Sequence, residues 1–262
     1  MKIKSAFTLS EVLITLVIIG VVSALTVSSM LNSTRKKELH TAFLKTYSEL
    51  NQAAKLFALY NAVSVPEYAR ENGLTLTINK FRYYYQTGEK NVTSSGMGTD
   101  DGSGNYTAYY TMHLLNREKF SGGANSSGKD SSFFCDNSGF QSSLSGALFL
   151  FNDAPSSSTT YNGPVICVDV NGRKGPNRYG ADYFLFIFTN DNAVIPMGMS
   201  HDDNTPQNCT SASGSCGNFS NEGAAFCSKS ANNPAYNTSC AFYALSNKHP
   251  HLDGKNYWDD FI

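Results

Sequence analysis

Met1-Lys2-Ile3-Lys4-Ser5-Ala6-Phe7-Thr8-Leu9-Ser10-Glu11 opens the chain and runs straight into Val12-Leu13-Ile14-Thr15-Leu16-Val17-Ile18-Ile19-Gly20-Val21-Val22-Ser23-Ala24-Leu25-Thr26-Val27. Two lysines precede an apolar stretch long enough to enter a bilayer as a helix, for which roughly 20 apolar residues suffice. A carboxylate, Glu11, stands near the start of that stretch. An ionisable group inside a membrane segment costs roughly 2.5–3.5 kcal/mol on insertion scales, so Glu11 is read as functional and as needing a basic partner.

The run Ala6-Phe7-Thr8-Leu9-Ser10-Glu11 resembles the N-terminus of type IV prepilins and type II secretion pseudopilins. In those proteins a dedicated peptidase cuts just before the Phe and methylates the new amine. The resemblance implies processing between Ala6 and Phe7, methylation of Phe7, and an assembly role for Glu11. Three positions depart from the family pattern: Ala6 replaces the usual Gly, Ser10 replaces an apolar residue, and Ser28 stands where many pilins carry a helix-softening Pro. Without that Pro the helix is expected to run straighter.

The motif has a physical logic of its own. In a stack of parallel helices each new N-terminal amine is a buried cation, and a carboxylate on a neighbouring helix neutralises it; an unpaired charge in low dielectric is penalised far more than a matched pair. Two plainer readings compete. One is a secretory signal cut after Val22-Ser23-Ala24, which the carboxylate at the head of the apolar run disfavours. The other is a plain membrane anchor with Glu11 at the interface, which leaves the Phe-Thr-Leu-x-Glu string to chance.

Lys2 and Lys4 favour a cytoplasmic N-terminus, and Arg35, Lys36 and Lys37 beyond the span oppose it on a simple count. The cysteines decide the matter. Cys135, Cys167, Cys209, Cys216, Cys227 and Cys240 all lie in the C-terminal half with no C-x-x-C pair, an even number that suits disulfides in an oxidising compartment. The body is therefore placed outside the cytoplasm, as the periplasmic head of an inner-membrane single-pass protein that moves into a pseudopilus or cell-surface filament. All six cysteines are expected oxidised, with Cys135 joined to Cys167 and Cys209, Cys216, Cys227 and Cys240 pairing among themselves.

Beyond the span, Leu39, Phe43, Tyr47, Leu50, Ala54 and Phe57 recur at steps of three and four with charges on the opposite face, so the helix is expected to continue to about residue 60. From Phe7 that makes about fifty residues, or roughly 75–80 Å. After Pro66 short apolar runs alternate with Gly, Ser and Asn: residues 81–85, 106–115, 147–151, 165–170, 183–188 and 193–197 read as antiparallel strands, with Asp191-Asn192 a hairpin turn. Residues 93–105, 121–132 and 156–162 are polar surface loops. The expected fold is α+β and pilin-like: one long N-terminal helix packed on an antiparallel sheet, with disulfide-bonded C-terminal loops. Its parts are a leader at 1–6, a membrane or filament-core helix at 7–31 and a head at 32–262.

Charged residues make up 16% of the chain, against about 25% in ordinary soluble domains. Removing Lys2 and Lys4 with the leader takes the formal net charge from -1 to -3, so no basic bias points to nucleic acid. The cationic run Arg35 to Lys37 sits where lipid head groups are the natural partner. The sequence holds no nucleophile elbow, phosphate-binding glycine loop or His-Glu-x-x-His, so no enzyme is expected. His249-Pro250-His251 alone is thin evidence for a metal.

One internal segment stands out, from Cys167 through Asp169, Asn171, Gly172, Gly175-Pro176-Asn177 and Gly180 to Asp182. The alternate spacing of Asp169 and Asn171, with Asp182 beyond, makes these three oxygen-rich residues a Ca²⁺ candidate, although the glycines do not fall where an EF-hand loop needs them. The favoured alternative is a structural turn held by Asx hydrogen bonds between two core strands.

Taken together the residues read as a structural subunit of a type II secretion pseudopilus or type IV pilus-like filament. Its partners would be other pilin or pseudopilin subunits, the prepilin peptidase, the inner-membrane assembly platform and membrane lipid. A minor pilin or adhesin presenting binding loops, and a secreted or membrane-anchored binding protein with no filament role, are the alternatives.

Overall fold

A computed structural model describes residues 8–85, 98–100, 106–108, 112–117, 119–120, 141–152, 163–172, 174–197, 226–230 and 237–262. The chain divides into two compact units, Met1–Glu38 and Leu39–Ile262, and the first helix, α1 (Leu9–Asn61), contributes residues to both. No glycine or proline breaks α1 after Gly20.

In the second unit the stripe read from the sequence faces inward. Phe43, Leu50 and Phe57 are fully buried, with Leu39, Ala53 and Ala54 beside them. They pack on a five-stranded antiparallel sheet in sequential order. Its strands are β5 (Gln141–Ser142), β6 (Leu148–Asn152), β7 (Val165–Asp169), β8 (Tyr183–Phe188) and β9 (Val194–Pro196). Two small pairs precede it, β1 (Gly98–Asp100) with β2 (Tyr106–Ala108), and β3 (Met112–His113) with β4 (Lys119–Phe120).

Alternation along the strands sends Phe149, Phe151, Ile166, Val168, Phe184, Phe186 and Phe188 to the α1 side. The contact there is aromatic: Phe43 meets Phe184 edge-to-face at 4.6 Å between centroids. The opposite set, including Leu150, Val165, Cys167, Tyr183 and Leu185, is buried too, against Leu114, Tyr179 and Met197. Every residue of β7 and β8 is buried. A helix laid on one face therefore accounts for half of the sheet's packing, and the unbroken apolar runs at 165–168 and 183–188 reflect burial on both faces.

At the sheet's last strand the side chain of Asn51 behaves like a strand's main chain. Its Nδ2 donates to the Val194 carbonyl at 3.1 Å and its Oδ1 accepts from the Val194 N–H at 2.9 Å.

Two parts of the expected layout need correction. Residues 81–85 do not form a strand: Phe81 ends a second helix, α2 (Val65–Phe81), and residues 82–85 turn away from it. A capping box starts α2, with the Ser64 Oγ accepting from the Glu67 N–H and the Glu67 carboxylate accepting from the Ser64 N–H. Gly73, at φ 76° and ψ 168°, kinks it, a conformation only glycine adopts without strain. The rings of Phe81 and Tyr85 favour a strand by propensity, yet here they pack from the helix end onto Phe188 at 5.1 Å and Phe149 at 4.7 Å, so tertiary packing overrides the local preference. The stretch 93–105, expected as a surface loop, contains strand β1 at Gly98–Asp100, and within 106–115 the described residues include β2 and β3, which belong to separate sheets.

The C-terminus, expected as disulfide-bonded loops, carries further helical elements. Helix α3 (Cys240–Ser246) is followed by a π-helical turn at Tyr257–Phe261. Trp258 Nε1 donates to the Ala244 carbonyl at 3.0 Å, and the buried Tyr257 hydroxyl donates to the Gly180 carbonyl at 2.6 Å.

Candidate functional site

At the N-terminus the structure begins at Thr8, so Ala6 and Phe7 lie outside the described residues. Glu11 occupies the first turn of α1. Its Oε2 accepts from the Thr8 N–H at 2.8 Å and from the Thr8 hydroxyl at 2.9 Å, while the Thr8 Oγ1 accepts from the Glu11 N–H at 3.3 Å. This is a reciprocal cap: Thr8 and Glu11 satisfy donors that a helix start leaves without partners, which would be costly in hydrocarbon. The sequence signal for Thr8 is the spacing Thr8-x-x-Glu11, at which such caps form.

Glu11 thus has two separable tasks: it caps its own helix through one oxygen, and its second oxygen has acceptor sites of its own. Behind it the helix is apolar on all sides and exposed, from Leu9 at 81% to Leu31 at 66%. An 18-residue window within α1 is apolar enough to cross a membrane, and none of it is buried. Three threonine hydroxyls of α1 bond back to their own helix: Thr15 donates to the Val12 carbonyl, Thr26 to Val22 and Thr34 to Met30, each at 2.9 Å. These threonines therefore need no external partner for their hydroxyls, and Glu11 is the one ionisable side chain of the apolar run. Arg35, Lys36 and Lys37 follow within α1.

The segment from Asp169 to Asp182 forms one connected turn between β7 and β8, bringing Asp169, Asn171 and Asp182 into the same loop. The Asn171 N–H donates to Asp169 Oδ1 at 3.2 Å. The two oxygens of Asp182 accept from the Asn177 and Arg178 N–H groups at 2.7 and 2.6 Å. Burial pushes the Asp182 carboxyl up to about 6 against the pull of those two donors and of Arg178. The side-chain oxygens of Asn171 and Asn177 are buried without hydrogen-bond partners among the described residues. Even so, the carboxylates that would supply the charge of a cation site are already engaged by main-chain donors, and those bonds account for the shape of the loop.

Cys227 and Cys240 are joined, with Cα atoms 4.8 Å apart, a pairing inside the expected C-terminal group. Cys167, buried in β7, is also disulfide-bonded. Cys135, Cys209 and Cys216, and with them the expected Cys135–Cys167 link, lie outside the described residues. His249 and His251 do come together, with ring centroids 6.2 Å apart. Among the described residues no group of three or more His, Cys, Asp or Glu side chains is placed to hold a metal.

With this geometry in view, comparison with known families adds one finding. The family model of the prokaryotic N-terminal methylation motif matches residues 1–27, and this is the prepilin-type cleavage and methylation motif. It supports a type IV pilin-like or pseudopilin protein in general, and together with the apolar half of α1 it is consistent with a single-pass membrane anchor. No curated protein and no solved structure matches the chain.

Proposed function

We propose that this chain is a structural, non-catalytic subunit of a type II secretion pseudopilus or type IV pilus-like filament. It is made as a prepilin, held in the inner membrane by residues 7–31 with the head on the periplasmic side, cut between Ala6 and Phe7, methylated at Phe7, and drawn into a filament by α1. The observation that carries the reading is the juxtaposition of the methylation motif at residues 1–27 with an exposed apolar stretch of α1, residues 9–31, whose single ionisable group is Glu11. A plain anchor accounts for the apolar face and gives Glu11 no task beyond its cap. In the filament reading the Glu11 carboxylate pairs with the Phe7 amine of a neighbouring subunit, two charges that only a matched pair makes tolerable in low dielectric.

The partners on this reading are further pilin or pseudopilin subunits, the prepilin peptidase and the membrane assembly platform. The Arg35 to Lys37 run would contact anionic head groups, each cation contributing about 1 kcal/mol. The test is mass spectrometry of the mature N-terminus from a host with and without a prepilin peptidase. A methylated Phe7 that depends on the peptidase supports the reading, whereas a mature chain starting at Leu25 or Met1 refutes it. Ala6→Asp, which puts a charge at the cut, is expected to leave the leader attached.

A further inference from the structure

The loop between α3 and the C-terminal π-helical turn carries a hydrogen-bond arrangement that depends on the protonation state of one imidazole. The loop closes at its base where the His249 N–H donates to the Lys255 carbonyl at 2.9 Å. Inside it, the His251 N–H donates to His249 Nδ1 at 3.0 Å. A ring nitrogen accepts only when it bears no proton, so this bond exists only with His249 neutral and its hydrogen on Nε2. The loop is then tied to the disulfide segment, because His251 Nε2 lies 2.9 Å from the Cys227 carbonyl, and a carbonyl can only accept.

The surroundings of His249 favour cations poorly. His251, Lys229 and Lys255 face it with positive or titratable groups, and Asp260 is the carboxylate among the charged groups acting on it. Asp260 is itself shared, with its oxygens 3.5 Å from Lys255 Nζ and 2.8 Å from the Asn256 N–H. Phe261 packs edge-on against the His249 ring at 4.9 Å, and Lys229 stands over the same Phe261 ring at 4.7 Å. A second positive charge introduced at His249 therefore meets the same cluster that holds the loop down.

We propose that His249 is an acid-sensitive latch on the His251 main chain: neutral, its Nδ1 holds the His251 N–H and fixes the conformation from which His251 reaches the Cys227 carbonyl, and protonated, it gives up that N–H and loosens the 249–251 turn. Partial burial holds the His249 pKa below the ordinary histidine value, and the His251 and Lys229 charges act in the same direction. Release therefore falls on the acid side of about 6.5.

The experiment uses the full chain in detergent micelles with selectively labelled histidine, following the His249 ring resonances and the His251 amide from pH 8 to pH 4.5. The expected result is that the His251 amide shift moves with the same midpoint as the His249 ring. Its exchange protection, corrected for the intrinsic rate, should drop roughly two- to twelve-fold through that midpoint, the equivalent of one ordinary hydrogen bond. His249→Asn, whose side-chain oxygen replaces Nδ1 as acceptor and does not titrate, should hold the amide protected across the range. His249→Phe should leave it unprotected throughout. A His251 amide indifferent to the titration of His249, or an Asn variant that keeps the acid step, would overturn the proposal.

Discussion

A methyl group added at Gly180 tests how the C-terminal segment is locked to the core. Gly180 sits at φ 73°, and a Cβ built there would lie 2.9 Å from the Tyr257 hydroxyl and 3.1 Å from both the Cβ and the Sγ of Cys240. Gly254 has the same φ of 73° with nothing within 4 Å. Left-handed backbone costs a non-glycine residue roughly 1–2 kcal/mol, and that cost is common to both positions. Crowding in a packed site adds about 1–3 kcal/mol at Gly180 alone. Gly180→Ala is therefore expected to destabilise by about 2–5 kcal/mol and Gly254→Ala by about 1–2 kcal/mol. Urea unfolding of the full chain in micelles, read by the fluorescence of the single tryptophan, Trp258, supplies the comparison. Tyr257→Phe in the Gly180→Ala background removes the nearest clash, so the double variant should lose less than the sum of the two singles, by about 0.5–3 kcal/mol. Equal losses at Gly180 and Gly254, with strict additivity at Tyr257, would refute the claim that these contacts hold the segment.

Three further outcomes are expected. Glu11→Ala should leave membrane insertion and head folding intact and suppress incorporation into sheared filaments or crosslinked pseudopilus, a defect of about 3–5 kcal/mol when one partner of a buried pair is deleted; wild-type incorporation would remove the assembly role. Asp182, raised by burial from 3.8 to about 6, makes the folded state bind a proton that the unfolded state releases, so its burden is fully present above pH 6 and is relieved as pH falls toward 4. Relative to Asp182→Asn, wild type should therefore gain about 3 kcal/mol over that window by chemical denaturation, and a difference that stays flat or runs the other way contradicts the assignment. Replacing Cys227 and Cys240 together by Ser opens a link with a sequence separation of 13 and should cost about 2–4 kcal/mol; unchanged denaturation midpoints would show that the bridge is idle.

The parts of this fold that could be read from the sequence are those in which a short window carries its own reason. The stripe from Leu39 to Phe57 repeats at helical steps, and the runs in β7 and β8 are apolar without interruption because both faces are buried. Asp191-Asn192 marks a turn through the left-handed backbone of Asn192, at φ 65°. The turn from Asp169 to Asp182 follows from Asx chemistry. By contrast, α2 was hidden because Gly73 breaks its period and because the rings at 81–85 imitate a strand, although Ser64 and Glu67 announce its start. The C-terminal lock was out of reach, since the Tyr257–Gly180 bond joins residues 77 apart and neither neighbourhood hints at the other. At the N-terminus Glu11 is legible as an anomaly of charge, while Thr8 is marked only by the capping spacing Thr8-x-x-Glu11, a signal that the membrane-like run around it masks.

Asn51 has a consequence beyond the pinning of β9. The outer strand of a sheet offers unpaired N–H and C=O groups on which a second chain can template itself, and proteins that ignore this edge aggregate. By spending one amide on both main-chain groups of Val194, α1 closes that seam from within. On the filament reading, heads are forced into dense register with copies of themselves, the condition under which an open seam would fuse neighbours irreversibly. At that edge a single asparagine then withholds from a neighbouring strand the two main-chain groups on which it would start to pair.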